Sequence, residues 1–317
     1  MSKSCLIIGA GMAGLTAAQE LTRHHWDVTI LDKGRGVGGR MATRRIGNSR
    51  LDHGAQFFTT RSEEFKTAVA GWQTNGWVSP WYTGPDPGDG HIRYRATGGM
   101  NALAKQLALP FHVRTEANVT GLQAAQNRWQ ATTESGEVFA ADALILTPPA
   151  PQTLALLGPL VPDISSQLAE IRFDPCFALL LTLSGPSQIP APGYARPTSG
   201  PMEWLADNTQ KGVSEGPAAI TLHATGAFSR EHLSTAPEHV TNLLLEAAAP
   251  YLGTEVTATQ LHRWLFAKPS TDHGEMCLWS NEPAPLAVAG DALAGSRVEG
   301  AFLSGLAAAR RINGFRS

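Results

Sequence analysis

Two hydrophobic rhythms alternate along this chain. Short, nearly unbroken apolar runs at 5–8, 143–147 and 286–289, with a fourth at 27–31, have the form of strands covered on both faces, as in a parallel sheet. Alternating positions at 177–183 and 218–224 instead suit half-covered strands of a mainly antiparallel sheet. Small and apolar residues at helical spacing follow the first run at 15–21, and close the chain at 301–312. A further strand is predicted at 111–114, and 132–139 reads as a hairpin arm turning at Ser135 and Gly136. Loop signals cluster at 84–88, 185–201 and 211–217. The pattern predicts an α/β fold with a parallel sheet and a second, mainly antiparallel one, without internal repeats or low-complexity tracts.

Composition narrows this. At 317 residues the chain is long enough for roughly two domains of ~150 residues. Twenty-five Lys and Arg against 27 Asp and Glu do not make a nucleic-acid-coating surface. Three widely spaced cysteines, Cys5, Cys176 and Cys277, support neither a disulfide framework nor a zinc site, and no metal is expected. The N-terminal apolar stretch is broken by Gly9, Gly11 and Gly14, which argues against a secretory leader. The apolar region 143–161 contains Pro148, Pro149, Pro151 and Pro159, too many for a span of ~20 residues. The expectation is a soluble, cytoplasmic protein without a membrane or obligate protein partner.

The first strand ends in Gly9-Ala10-Gly11-Met12-Ala13-Gly14, a GxGxxG spacing placed between strand and helix. Gly9 permits the sharp exit, Gly11 lets backbone approach a diphosphate, and Gly14 lets the helix pack on the sheet. The helix N-terminus then offers free N–H groups and partial positive charge to phosphates. Asp32, at the end of the second strand, is placed to accept hydrogen bonds from ribose hydroxyls. The glycine-rich basic loop that follows, with Lys33, Arg35, Gly39, Arg40 and Met41, shifts the reading from a nicotinamide to a flavin dinucleotide. Its arginines can neutralise a diphosphate while its glycines let the loop lie flat.

These stretches, together with 51–59, 98–103, 262–269, 289–291 and 295–305, resemble the FAD-binding fold shared by amine oxidases and hydroxylases, and within it the bacterial renalase-type proteins. The resemblance spans nearly the whole chain. It implies a Rossmann-like FAD-binding domain of the glutathione reductase type, with a second, mainly antiparallel β substrate domain plus helices. The FAD domain would comprise 1–60, 96–150 and 281–317, and the substrate domain 61–95 and 151–280. It also implies that Gly11, Asp32, Arg40 and Asp291 touch the diphosphate and sugars, and that Val119 meets the adenine through its backbone. Gly54, Ala55, Gln56 and Phe57 would pass along the isoalloxazine. A helix started by Arg297, Val298, Glu299, Gly300 and Ala301, following Gly290 and Asp291, would point at the pyrimidine end, where its dipole would stabilise a reduced anionic ring.

Aromatic residues concentrate in the second domain, where they serve either core packing or a flat slot over the flavin. Trp204 and Trp264 are the preferred slot pair, with Gln56, Phe57 and His223 as further candidates; His223 reads more readily as a satisfied buried histidine than as an active-site donor. Lys268 is set aside, because renalase-type proteins can carry Arg there. No Ser-His-Asp arrangement or HExxH motif is present, so the chemistry falls to the cofactor. The resemblance implies non-covalent FAD that takes hydride from 2- or 6-dihydro isomers of NAD(P)H, giving β-NAD(P)+ and, with oxygen, hydrogen peroxide. An amine oxidase is the rival enzyme. The four tyrosines all precede residue 252, which argues against a tyrosine cage near the C-terminal motif. A non-catalytic flavin-binding module is the rival of another class.

Overall fold

The computed structural model describes residues 3–84, 90–271 and 273–314; the loop signal at 85–88 lies outside them. The chain opens with β1 (Ser4–Ile8), α1 (Met12–Arg23) and β2 (Asp27–Leu31), then a hairpin of β3 (Thr43–Ile46) and β4 (Ser49–Asp52). Next come α2 (Glu63–Thr74), a ribbon of β5 (Val78–Thr83) and β6 (Ile92–Ala96), α3 (Met100–Ala108) and β7 (His112–Arg114). A meander of β8 (Val119–Ala125), β9 (Arg128–Thr133) and β10 (Val138–Ala141) leads to β11 (Ala143–Leu146), α4 (Ala150–Leu157) and α5 (Pro162–Glu170). The chain then forms β12 (Phe173–Leu183), β13 (Tyr194–Ala195), β14 (Met202–Asp207), β15 (Ala219–Ala224), α6 (Gly226–Glu231), α7 (Pro237–Leu252) and β16 (Val256–Pro269). It closes with β17 (Leu278–Ser280), β18 (Leu286–Val288), α8 (Asp291–Ala294) and α9 (Val298–Gly314).

The apolar runs meet in one six-stranded sheet, ordered β17-β18-β11-β1-β2-β7, in which only the edge strand β17 runs antiparallel. In β1 the period of two is visible: Cys5 and Ile7 join the core on the α1 and α9 side, while Leu6 and Ile8 join the core beneath the meander and α4–α5. Each such fully buried aliphatic side chain contributes roughly 1.5–3 kcal/mol. The alternating runs form a five-stranded antiparallel sheet, ordered β13-β14-β15-β12-β16, backed by α7.

Several boundaries differ from the sequence pattern. The closing helix starts at Val298, three residues before the predicted 301, and the short α8 opens at Asp291 ahead of it. Two of the prolines that argued against a bilayer span sit at one helix start: Pro149 is the N-cap of α4 and Pro151 lies in its first turn, where a missing N–H costs nothing. Among the described residues no helix is long and apolar enough to cross a membrane.

Close backbone approaches set the geometry. A Cβ on Gly14 would stand 2.0 Å from the Gly9 carbonyl oxygen, and one on Gly305 would stand 2.1 Å from that of Ala13. The second approach lets α9 cross directly over the start of α1, bringing the end of the chain to its beginning.

The two sheets are joined around Asp52, which is fully buried. Its Oδ1 accepts from Thr43 Oγ1 (2.6 Å) and the Met100 amide (2.7 Å), and its Oδ2 from Lys211 Nζ (2.8 Å). Its own amide donates to Asn208 Oδ1, and its carbonyl accepts from Thr221 Oγ1. Removing one partner of such a pair leaves an uncompensated buried charge. Lys211→Met is therefore expected to lower unfolding free energy by roughly 3–5 kcal/mol. Urea denaturation checks this, and a loss below about 1 kcal/mol, the scale of an exposed pair, would contradict it.

Candidate active site

The C-terminal ends of β1 and β2, the loop 33–42, the segment 53–59 and the start of α9 face the antiparallel sheet across one cavity of 1890 Å³. Gly9, Gly11, Met12 and Ala13 line it at the β1–α1 turn, with Asp32, Lys33, Arg35, Gly39, Arg40 and Met41 alongside. Gly54, Ala55, Gln56 and Phe57 form another wall, Val119 a corner, and Gly290, Asp291, Arg297, Val298 and Ala301 the far end. Trp204, His223 and Trp264 reach it from the second sheet.

Three residues expected to contact a cofactor lie off this wall. Gly14 is pressed under Gly9, and Gly300 under Gly295, whose carbonyl oxygen would stand 1.9 Å from an added Cβ. Glu299 is buried and turned toward the start of α2: its Oε1 accepts from the amides of Arg61 (2.9 Å) and Ser62 (2.6 Å) and from Ser62 Oγ (2.8 Å). Glu299 thus ties the segment after Phe57 to α9, a positioning role hidden from the sequence because its partners lie 237 and 238 residues away.

The wall fits a dinucleotide on several counts. A Cβ at Gly11, Gly36 or Gly290 would meet nothing within 4 Å, so backbone stands bare to the cavity. The N-terminus of α1 carries no side-chain cap, leaving its first-turn N–H groups for a ligand. Asp32 receives the Ala10 amide on Oδ2 (2.7 Å) and the Gly34 amide on Oδ1 (2.7 Å), which fixes the loop and leaves acceptor capacity for hydroxyls. Ten Lys and Arg side chains against four Asp and Glu line the cavity, an excess that suits diphosphates. Arg40 and Asp291 form a bidentate pair of 2.9 and 2.5 Å, and Arg40 also donates to the Ala267 carbonyl (3.3 Å). This pair couples the glycine-rich loop to α8.

The preferred aromatic pair does not form one slot. Trp264 packs with His53 (centroids 5.4 Å, 23° between planes) and with His262 (4.4 Å), and its Nε1 donates to the His53 carbonyl (2.8 Å). Trp204 belongs to a second cluster, stacked on Tyr194 (5.0 Å, 4°) and beside Phe57 (5.5 Å). Tyr194 in turn stacks on Tyr82 (4.3 Å). β5 and β13 carry Tyr82 and Tyr194 to the back of Trp204, and neither lines the cavity. Lys268 sits exposed at the rim, 3.9 Å from Glu203.

His223 Nε2 donates to the same His53 carbonyl (3.2 Å), so the neutral tautomer carries its proton there. Burial, with neighbouring His262, Arg44 and His223, pushes the His53 imidazole down to about 3, and burial pushes His223 down to about 4. Both are neutral at pH 7. Cys176 also lines the cavity, but burial, then Glu203, raises its thiol to about 12, leaving it unreactive. Among the described residues no His, Cys, Asp and Glu cluster could hold a metal. Gln56 Nε2 donates to the carbonyls of Asp52 (2.5 Å) and Gly54 (3.2 Å), leaving Oε1 without a protein partner. His53 Nδ1 and Trp204 Nε1 are likewise unpartnered.

Residues 7–70 match an NAD(P)-binding Rossmann-like domain, and residues 72–313 match the flavin containing amine oxidoreductase family. The chain belongs to that family and is a flavoprotein oxidoreductase. Within it the chain is renalase-like: it is 28% identical to renalase of Mus musculus over 291 residues, 83% of this chain and 84% of that one. The solved structure of wild-type putrescine oxidase bound to putrescine shares the fold, with a TM-score of 0.72 at 13% identity over 98% of both chains. A shorter match, 47% identical over 58 residues, links 18% of this chain to 4% of lysine-specific histone demethylase 1 homolog 3 of Arabidopsis thaliana.

Two outcomes follow. Gly11→Val places its branches in open cavity space, so the folded protein is expected to persist while flavin content falls at least about tenfold, equal to roughly 1.4 kcal/mol of binding. Absorbance near 450 nm per protein, beside circular dichroism, checks it. His53 and His223 bind protons more readily when unfolded, so stability is full above pH ~6.5 and falls as pH drops toward 4. His223→Asn is expected to flatten the fall of Tm between pH 6.5 and 4; an unchanged slope would refute this.

Proposed function

We propose that this protein is an oxidase with non-covalently bound FAD that takes hydride from 2- or 6-dihydro isomers of NAD(P)H and releases β-NAD(P)+. When bound, FAD supplies the hydride acceptor and passes the electrons to oxygen, giving hydrogen peroxide. In this reading residues 1–60, 96–150 and 281–317 hold the cofactor, and 61–95 and 151–280 cover the substrate. The cofactor-facing residues are those named above on the wall, with Gly14, Glu299 and Gly300 acting from behind it.

The excess of cationic side chains in the cavity carries this reading. A flavin diphosphate neutralises about two of those charges, and the remainder still favours an anionic pyridine dinucleotide. The same field repels a protonated amine, which disfavours the amine oxidase alternative. His53 and His223 are neutral and supply no cationic acid, and the buried Asp52 carboxylate is engaged by Lys211, Thr43 and the Met100 amide, which suits hydride transfer, where no side-chain proton acceptor is obligatory. Phe57 and Trp204 hold a planar ring from the side. The unreactive Cys176 thiol, and Cys277 lying off the cavity, support non-covalent attachment.

An anaerobic titration tests the proposal. Addition of 2- or 6-dihydroNAD is expected to bleach the bound flavin within seconds, with peroxide formed on admitting air. Bleaching by simple amines with no response to those isomers would replace it with the amine oxidase reading. No turnover with any reductant would leave a flavin-binding module.

A further inference from the structure

Beside the main cavity lies a second recess of 550 Å³, bounded by Thr43, Arg45, Arg50, Thr97, Asn101 and Lys105 together with the Gly98 turn. We infer that this recess is a binding site for a phosphomonoester dianion, next to the glycine-rich loop and adjoining the main cavity; its nucleotide form rests on the function proposed above.

Its composition is one-sided. Arg45, Arg50 and Lys105 converge on the recess, and no Asp or Glu lines it. Among the described residues none of these three cations makes an ion pair with an acid. Three like charges gathered without a counter-charge repel each other, in a chain whose net charge is −2. Thr97 and Asn101 add neutral hydrogen-bonding groups, so the lining can surround a phosphate with donors. The start of α3 points its dipole at the same space, although the Met100 and Asn101 amides are already taken by Asp52 Oδ1 and Thr43 Oγ1. Recognition therefore falls to the side chains. The Asp52 carboxylate does not cancel them: it is fully buried and paired with Lys211.

The recess also adjoins the main cavity. Thr43, Arg45, Asn101 and Lys105 line both spaces, whereas Arg50 and Thr97 line only the recess. In this reading a ligand in the main cavity extends a phosphoryl group to it past the β3 hairpin. FAD carries only a diphosphate bridge and no monoester, so the cofactor does not satisfy this site. The shared chemistry is a terminal phosphate, carried either on the 2′-oxygen of a nicotinamide dinucleotide or as free inorganic phosphate.

Calorimetric titrations of the flavin-loaded protein with NADP+, NAD+ and inorganic phosphate, at matched ionic strength, separate these sources. NADP+ is expected to bind at least about tenfold more tightly than NAD+, the effect of one or more charge-assisted hydrogen bonds. Arg50→Gln is expected to bring NADP+ close to NAD+ while leaving NAD+ affinity unchanged, and Arg50→Glu to do so more strongly. If the two nucleotides bind alike but phosphate binds and is lost in Arg50→Glu, the site stands with free phosphate as its ligand. If neither nucleotide binds, the dihydronicotinamide reading fails, and the phosphate arm alone decides the recess. Absence of both the NADP+ preference and phosphate binding, or their persistence in both variants, would overturn the proposal.

Discussion

The bidentate contact between Arg40 and Asp291 spans 251 residues and joins the two segments on which the site depends. It forms because α9 lies directly on α1, an approach possible only with hydrogen as the side chain of Gly305. Together these contacts make one wall out of the glycine-rich loop and the start of the last helix. Charge-assisted pairs of this geometry are directional as well as strong. The wall is consequently held at a fixed distance, and the uncapped end of α1 faces the same space as Val298 and Ala301.

A second constraint seats the antiparallel sheet on this wall. Asp52 uses its amide, its carbonyl and both carboxylate oxygens on partners from separate parts of the chain, so β4 is locked to α3 on one side and to the 207–221 region on the other. The residues that follow it, from His53 to Phe57, inherit that position. The His53 carbonyl then gathers Trp264 and His223, and the buried imidazoles are kept neutral. Structural and chemical roles therefore alternate along six consecutive residues. The net result is an electrostatic contrast: a cationic cavity wall beside an uncharged histidine and aromatic pocket.

Much of the parallel sheet was legible from β1, β2, β11 and β18, because strands buried on both faces must be apolar at nearly every position. The GxGxxG turn was legible because its glycines are demanded locally by the strand-to-helix turn. β16 was not: six of its fourteen residues are exposed, and His262, Arg263 and Lys268 blur any period of two. Trp204 and Trp264 were both recognised as facing the cavity, but their division into separate clusters depends on which neighbours β13, β5 and the 53–57 segment bring to them. Glu299 was read as a cofactor contact because it lies in the right motif; one helical position decides that its side chain faces α2 instead.

By itself the sequence determined the two kinds of sheet, the phosphate-binding turn and a family resemblance running nearly the whole length of the chain. These rest on local backbone requirements and on hydrophobic period, which neighbouring residues encode. Only the tertiary structure decided that Asp52 meets Lys211, that three cations surround a recess beside the β3 hairpin, and that His53 and His223 stay uncharged. Burial and electrostatic environment are sums over residues far apart in the chain, so no local stretch of sequence specifies them.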